Sequence, residues 1–559
     1  MTTTTTTTTT LSSKDSTTAF VAFSAALVAA TAATTYLLTT RYEQSKERAR
    51  AWKQYQREKL LKEKTAEARK TMKEPSSGTL IDDVFIDKVF LWECQDLRKS
   101  FASANVANHM HFQYETIHPL ASTTLQRKNS TEIITQYNKL ITDHECILGD
   151  VVRKPNQQTN TVAYMRAGPR RYLHFDPAHV NAAIVTCGGL CPGLNNVIRE
   201  ITKSLYQLYA IGGKVYGIRG GYRGFWDPEL EPVELTLDLV ENIHHGGGTV
   251  LGSSRGGFDL DKILDFVRDR KISQLFVIGG DGTHRGAFRI HEGCIERGYN
   301  VAVAGIPKTI DNDVDYIDQS FGFQSAVEAA QVAIRSAKTE AVCNLPNGIG
   351  IVKLMGRSAG FIAAHSTMAS SDVDLCLVPE VPVVLDGERG CLPHLMRRVK
   401  QQGYAVVVVA EGAGEEVLGT STEVDASGNK KLPAIGEFMK KSIEEYFKKH
   451  GETATVKYID PSYTVRTVPA NAADSLYCMQ LAQNAVHGAM AGYTGFSVGL
   501  CNNRMVFLPI PELVATSPRS MNARGRTWER VIGLTRQPNT VPELEEGKVD
   551  PKDNQPTPR

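Results

Sequence analysis

A chain of 559 residues exceeds one ordinary domain and holds enough apolar sequence for a sizeable core. Its formal net charge of +2, from 63 basic and 61 acidic side chains, lacks the basic excess of a nucleic-acid binder, so no nucleic-acid partner is expected and any anion site must be local. The 10 cysteines show neither a CxxC pair nor metal-ligand spacing, and the closest two, Cys187 and Cys191, flank a glycine turn; they read as reduced structural thiols of a reducing compartment.

The chain opens on a threonine tract. Ala19 to Leu38 is free of charge, rich in Ala, Val, Leu and Phe, and about long enough to cross a bilayer, although only moderately hydrophobic. A run rich in Lys, Arg, Glu and Ala follows from Arg41 to Lys73, with Trp52 and Tyr55 interleaved, and makes an exposed basic helix whose simplest role is a solvated spacer. Lys14 and Asp15 are the only charges before the apolar stretch, so the asymmetry would keep the bulk of the protein on the cytosolic side. Membrane anchoring through Ala19–Leu38, a cleaved targeting segment and a tail stand as alternatives for residues 1–75. The expected location is the cytoplasm, with tethering to a membrane facing the cytosol or organelle targeting as variants.

Glu74-Pro75-Ser76-Ser77-Gly78 breaks the basic helix, and residues 76–180 have mixed polarity without a clear period, as an extension wrapping the main body would. From Asn181 to about residue 515, short apolar runs alternate with helical segments, the signature of βα units around a parallel sheet. Strands are expected at Ala182–Thr186, Leu275–Ile278, Val301–Ala304, Ile349–Lys353, Leu375–Val378 and Ala405–Ala410, and such sheets bind ligands at the carboxyl ends of their strands. Residues 516–559 form a tail that, after about Thr535, is rich in Pro, Glu, Asp and Lys, a composition of disordered segments.

Three motifs and one accessory loop carry chemistry. Thr186-Cys187-Gly188-Gly189-Leu190-Cys191-Pro192-Gly193 sits where a strand turns into a helix, so its glycines permit close backbone approach to an anion. It matches neither the Walker pattern nor the dinucleotide fingerprint. Val277-Ile278-Gly279-Gly280-Asp281-Gly282-Thr283 repeats the strand-to-helix turn and adds a carboxylate where a phosphate-bound Mg²⁺ needs a hard ligand; capping of the following helix is the alternative role of Asp281. Leu251-Gly252-Ser253-Ser254-Arg255-Gly256-Gly257 supplies a flexible loop with a guanidinium suited to phosphate oxygens. Gly305-Ile306-Pro307-Lys308-Thr309-Ile310-Asp311-Asn312-Asp313 crowds two carboxylates beside a lysine, an arrangement that is self-repelling unless a ligand or cation offsets it. One carboxylate can accept a proton from an attacking hydroxyl, and the lysine can neutralise phosphate charge.

The glycine turn, the Gly279–Thr283 loop and the Pro307–Asp313 segment, in this order and joined by Met355-Gly356-Arg357, Ala410-Glu411-Gly412 and Tyr463-Thr464-Val465-Arg466, resemble the phosphofructokinase family over roughly Arg166 to Arg504. Arg166-Ala167-Gly168-Pro169-Arg170, Pro469-Ala470-Asn471-Ala472 and Ala485-Val486-His487-Gly488-Ala489-Met490-Ala491-Gly492 look like its long-chain, ATP-using plant and trypanosomatid branch. The resemblance implies an α/β phosphofructokinase fold of two Rossmann-like lobes with parallel sheets plus the N-terminal extension. It further implies ATP-dependent phosphorylation of fructose 6-phosphate at C1, in glycolysis, with Mg²⁺, in a homo-oligomer open to allosteric regulation. Gly188, Arg255, Gly256, Gly280, Asp281, Gly282 and Thr283 would hold ATP, with Asp281 on the metal. Thr309, Ile310, Asp311, Met355, Gly356, Arg357, Glu411, Tyr463 and Arg466 would form the sugar-phosphate pocket, with Asp311 as proton acceptor and Lys308, Arg255 and Arg357 stabilising charge. Short bacterial and animal relatives carry aspartate at the place of Leu190 and glycine at that of Lys308, so their nucleotide contacts do not transfer there. The rival readings are a pyrophosphate-dependent relative, which shares Lys308 but resembles a second aspartate at the place of Gly282, and a membrane-tethered inactive relative, against which stand the intact Asp281 and Asp311.

Overall fold

The computed structural model describes residues 85–108, 140–152, 158–419 and 432–543. The apolar stretch 19–38 and the basic run 41–73 lie outside the described residues, among which no helix is long and apolar enough to cross a membrane.

The chain divides into two compact units. In the first, strand Phe85–Trp92 runs parallel to Gln158–Arg166, against which Cys146–Leu148 pairs antiparallel, and Trp92 meets Tyr164 edge to face at 5.5 Å. The segment that reads without a period is therefore partly strand.

The second unit contains two α/β lobes. The first is built from β1 (Ala182–Thr186), α1 (Leu194–Lys203), β2 (Val215–Ile218), β3 (Val233–Glu234), α2 (Leu260–Asp269), β4 (Gln274–Gly279), α3 (Asp281–Glu296) and β5 (Ala302–Pro307). Helix α4 (Phe323–Cys343) then leads to the second lobe, which holds β6 (Gly348–Leu354), α5 (Phe361–Ser370), β7 (Leu375–Leu377), α6 (Cys391–Gln402), β8 (Tyr404–Ala410), α7 (Ile435–Lys449), β9 (Thr455–Ile459) and the short α8 (Ser462–Thr467). Helix α9 (Ala472–Met490) returns to the first lobe, where β10 (Phe496–Cys501) and β11 (Arg504–Pro509) complete the sheet, and α10 (Arg526–Thr535) follows.

Within this unit the strands of the first sheet follow the order β11-β10-β5-β4-β1-β2-β3, parallel from β10 to β2, with β11 and β3 antiparallel to β10 and β2. The second sheet, β7-β8-β6-β9, is wholly parallel. Helices cover both faces of such sheets, which is why β4 and β5 are buried at every position and read as unbroken apolar runs. Strand β5 extends to Pro307, past the apolar run ending at Ala304, because its ladder with β4 continues through Ile278↔Ile306 and Gly279↔Pro307 whatever the side chains. Val185, Leu275, Val277, Ile263, Leu264 and Ile290 pack between the first sheet and α2 and α3, whereas Ile351, Val407, Leu395, Met439, Ile443 and Phe447 fill the second lobe. Each such side chain contributes roughly 1.5–3 kcal/mol by burial.

The two crossing helices are tied at one buried carboxylate. Asp474, in the first turn of α9, accepts hydrogen bonds from Ser325 N–H (2.7 Å) and Ser325 Oγ (2.6 Å) at the start of α4, whose own cap residue Gly322 offers no side chain. None of the ten cysteines forms a disulfide, and burial pushes the thiols of Cys187, Cys191, Cys294, Cys376 and Cys391 up to about 12, which keeps them protonated.

The reading of a disordered tail beyond Thr535 needs correction for its first part. Gln537 is buried, donates from Nε2 to Cys376 O (2.9 Å) and accepts from Cys376 N–H (2.7 Å), and Thr540 Oγ1 donates to Pro382 O (2.6 Å). A polar side chain that satisfies an unpaired strand edge can order a segment whose composition alone suggests disorder. Residues from 544 onward lie outside the described residues.

Candidate active site

Strand register brings the motifs of the first lobe together. Because β1, β4 and β5 are parallel neighbours, the segments leaving their carboxyl ends are the glycine turn, the Gly280–Thr283 loop and the Lys308–Asp313 loop. Cys187 N–H donates to Ile278 O at 2.9 Å and Lys308 N–H to Gly279 O at 2.9 Å, which extends the ladder into the loops. The serine loop joins them: Gly188 N–H donates to Ser254 O (3.0 Å), Ser253 Oγ to Gly188 O (2.7 Å) and Thr186 Oγ1 to Gly252 O (2.8 Å). The Arg255 guanidinium comes within 3.7 Å of where a Cβ on Gly189 would stand, and Gly256 is exposed. Lys308, expected to face a phosphate, is buried and donates from Nζ to Gly189 O at 2.8 Å, bracing the glycine turn, with its ammonium pKa lowered by burial. Asp281 is the first residue of α3 and makes no capping hydrogen bond; Gly280 is the cap. The positive end of a 16-residue helix therefore stands at the end of β4, next to the strand that leads into the glycine turn.

The Asp311 loop lies at the end of β5. Thr309 Oγ1 donates to Asp313 Oδ1 (2.6 Å) and accepts from Asp311 N–H (3.2 Å). Asn312, one of three polar groups crowded in this motif, is buried in a structural role: its Oδ1 accepts from Ser320 N–H (2.8 Å) and Ser320 Oγ (3.2 Å), and its φ of 57° is a left-handed conformation that asparagine tolerates. Asp311 Oδ1 is buried without a hydrogen-bond partner. Burial, then the charges of Asp313 and Glu411, push its carboxyl up to about 8, opposed by the backbone N–H and the guanidinium of Arg357.

Arg357 and Glu411 belong to the second lobe, where register works the same way, whereas Asp313 lies on the Asp311 loop itself. Strands β8, β6 and β9 are adjacent and parallel, and their carboxyl ends lead into Glu411, Met355-Gly356-Arg357 and Asp460. Gly356 has φ 133° and accepts at its carbonyl from Gly412 N–H (3.1 Å), and a Cβ on Gly412 would run into the Arg357 carbonyl. Both glycines are thus required for the two turns to interlock. Burial raises the Glu411 carboxyl, while Lys353 and Arg357 lower it. Lys353 Nζ also pairs with Asp460 Oδ2 (2.7 Å), and Asp460 Oδ1 accepts from Ser462 N–H (3.1 Å) and Oγ (2.5 Å), fixing the start of α8. Tyr463 and Arg466 form a pair of their own on α8, the guanidinium carbon 4.8 Å from the ring centroid; Tyr463 is 75% exposed and Arg466 Nε is buried without a partner.

A divalent cation fits one part of this arrangement. Burial and the charge of Asp313 push the Asp281 carboxyl up to about 6, a cost that a bound cation would reverse. Among the described residues no group of three His, Cys, Asp or Glu side chains could hold a metal. One or two carboxylates completed by phosphate oxygens is a donor set suited to Mg²⁺.

The phosphofructokinase family model matches residues 181–489. ATP-dependent 6-phosphofructokinase 7 of Arabidopsis thaliana is 50% identical over 381 residues, covering 68% of this chain and 78% of that protein. The chain belongs to the phosphofructokinase family. ATP-dependent 6-phosphofructokinases of Amycolatopsis methanolica (43% identical, 75% of this chain and 92% of the relative) and Trypanosoma cruzi (44%, 66% and 76%) extend the similarity beyond plants. A pyrophosphate-dependent phosphofructokinase of Marinobacter aquaeolei superposes with a TM-score of 0.52 at 20% identity, over 66% of this chain and 94% of that one, a likeness of fold.

Within this phosphofructokinase, Gly188, Arg255, Gly280–Thr283, Lys308, Thr309, Ile310 and Asp311 gather at one lobe, with Arg357 and Glu411 close enough to act on Asp311. Sequence reasoning missed Lys353, which bears on the Glu411 carboxyl, and its partner Asp460. Asp460-Pro461-Ser462 just ahead of Tyr463 is a local capping signal that could have marked Asp460.

The titration of Asp311 gives a pH expectation. A base acts only when deprotonated, so with its carboxyl at about 8, kcat/KM for the sugar substrate should rise with pH up to that region and level above it. Asp313→Asn removes a repelling charge and should move the inflection to lower pH. A flat profile from pH 6 to 9 would exclude Asp311 as the titrating base.

Proposed function

We propose that the chain is an ATP-dependent 6-phosphofructokinase that transfers the γ-phosphoryl group of ATP to the C1 hydroxyl of fructose 6-phosphate, giving fructose 1,6-bisphosphate and ADP. The observation that carries the reading is Asp311: a buried carboxylate oxygen without a partner, on the first lobe, under the influence of Arg357 and Glu411 of the second. The high identity to proteins named for this activity supports it.

Asp311 Oδ1 accepts the C1 hydroxyl proton as that oxygen attacks the γ-phosphorus in line and the bond to the bridging oxygen of ADP breaks. Arg357 neutralises charge on the group in transfer, Glu411 accepts hydrogen bonds from sugar hydroxyls, and Tyr463 and Arg466 receive the 6-phosphate end. On the donor side, Gly188, Arg255, Gly256 and Gly280–Thr283 cradle the phosphates with backbone N–H groups and a guanidinium. Mg²⁺ bound at Asp281 would supply charge neutralisation across the phosphates. Lys308 contributes by holding the glycine turn as well as by its charge.

Fructose 6-phosphate phosphorylation measured with ATP and pyrophosphate side by side tests the reading; turnover with pyrophosphate equal to that with ATP would overturn the donor assignment. Removal of residues 1–73 should leave kcat within about twofold, because every proposed site residue lies beyond Arg166; a folded truncation without turnover would contradict this. The same pair of proteins in cell fractionation tests cytosolic placement and tethering through Ala19–Leu38, and light scattering tests the proposed homo-oligomer.

A further inference from the structure

Segment 517–521 is bonded to the Asp311 loop on one side and, through the Glu380 carboxylate, to the turn after Arg357 on the other. Arg519 N–H donates to Asp313 O (2.7 Å), its Nε to Asn312 O (3.2 Å) and its Nη1 to Ile317 O (3.2 Å), so one residue grips three carbonyls of the Asp311 loop. Ser517 Oγ accepts from Asp315 N–H at 3.2 Å. At the other end, Met521 N–H donates to Glu380 Oε1 (2.7 Å), and the same carboxylate receives Gly360 N–H (2.9 and 3.1 Å), three residues beyond Arg357.

We propose that Arg519 is a positioning residue for phosphoryl transfer, holding the Asp311 loop by its backbone while its segment ties that loop to the one carrying Arg357. The inference rests on the reading of Asp311 as proton acceptor. The loop needs an external hold, because Asn312 (φ 57°) and Tyr316 (φ 64°) both sit in the left-handed region, which is costly for a bulky residue such as tyrosine. Packing alone does not account for the choice of arginine. The side chain is 7% exposed, stacks with its guanidinium carbon 5.3 Å from the Phe361 ring centroid, and leaves Nη2 buried without a partner. Leucine or methionine would fill such a place without burying a charge. The charge is balanced at a distance by Asp313, Asp315 and Asp318, all on the loop it holds.

The test compares kcat and both KM values for wild type, Arg519→Met and Arg519→Lys. A loosened base loop misplaces Asp311 without removing any group that touches substrate, so Arg519→Met should lose kcat by up to ~100-fold while KM for ATP and for fructose 6-phosphate each move less than about threefold. Arg519→Lys, which keeps a cationic side-chain donor where Arg519→Met keeps only the backbone N–H, should recover part of kcat and serves as the readout should Arg519→Met not fold. Wild-type kcat in the folded variants, a loss that appears only as raised KM, or unfolding of Arg519→Lys as well as Arg519→Met at the assay temperature would overturn the proposal. Wild-type protein without ATP-dependent turnover would instead remove the functional reading, and this inference with it.

Discussion

Replacing Asp311 by asparagine is expected to lower kcat by ~100–10,000-fold while leaving binding of ATP and fructose 6-phosphate near wild type. The amide keeps the shape of the carboxylate and the Arg357 N–H contact but cannot take a proton. The same substitution should stabilise the ligand-free fold. In the folded chain the carboxyl titrates at about 8 against an ordinary 3.8, so its protonated form is favoured. That contribution is fully present below the ordinary value and is lost as pH rises through 8, leaving a buried charge that opposes folding. The amide of the variant carries no such charge, so the variant's Tm should exceed that of wild type at pH 8 and converge with it near pH 4. Near-normal turnover would shift the base to Asp313, whose Oδ1 is already hydrogen-bonded to Thr309. Lost turnover with equal Tm at both pH values would keep the base but reject the burial argument.

Gly282→Asp is expected to fold normally and to lose use of ATP. A Cβ on Gly282 meets nothing within 4 Å, and an acid in the first turn of α3 is favoured by the helix dipole, so the substitution strains nothing in the free protein. In the complex the new carboxylate would stand beside Asp281 where the nucleotide's phosphates pass. Like charges brought together cost several kcal/mol, and each ~1.4 kcal/mol is tenfold, so kcat/KM for ATP should fall by ~100-fold or more. Lys308 does not argue for pyrophosphate here, since its ammonium is held by Gly189 O. Comparable kcat/KM for ATP in wild type and variant would show that Gly282 is not what admits the nucleotide.

Much of the fold was legible before any coordinates. Apolar runs such as Ala405–Ala410, bounded by glycine turns, admit few structures other than buried parallel strands, because only a strand covered on both faces uses continuous hydrophobicity. The motifs were legible for a related reason: glycines and acids at the end of a strand are costly without a ligand, so their local spacing already points to one. The residues between those runs were harder to read. Residues 536–543 carry a polar composition, yet Gln537 bonds both backbone groups of Cys376, a pairing that depends on where β7 lies.

The sequence by itself carried the family resemblance and the strand-then-glycine-turn order of the first lobe, and it nominated Asp281, Asp311 and Arg357 as site residues. The tertiary structure alone decided that Asn312 is a buried bracket rather than a site group, that Lys308 braces the glycine turn, and that Asp460 links the Arg466 helix to the strand beside Glu411. It also decided that Arg519, 207 positions after Asn312, grips the Asp311 loop. The physical reason is range. Strand, turn and cap preferences act over a few residues and leave their mark in local spacing, whereas a hydrogen bond to a carbonyl accepts any donor that the fold delivers and leaves no mark near the acceptor.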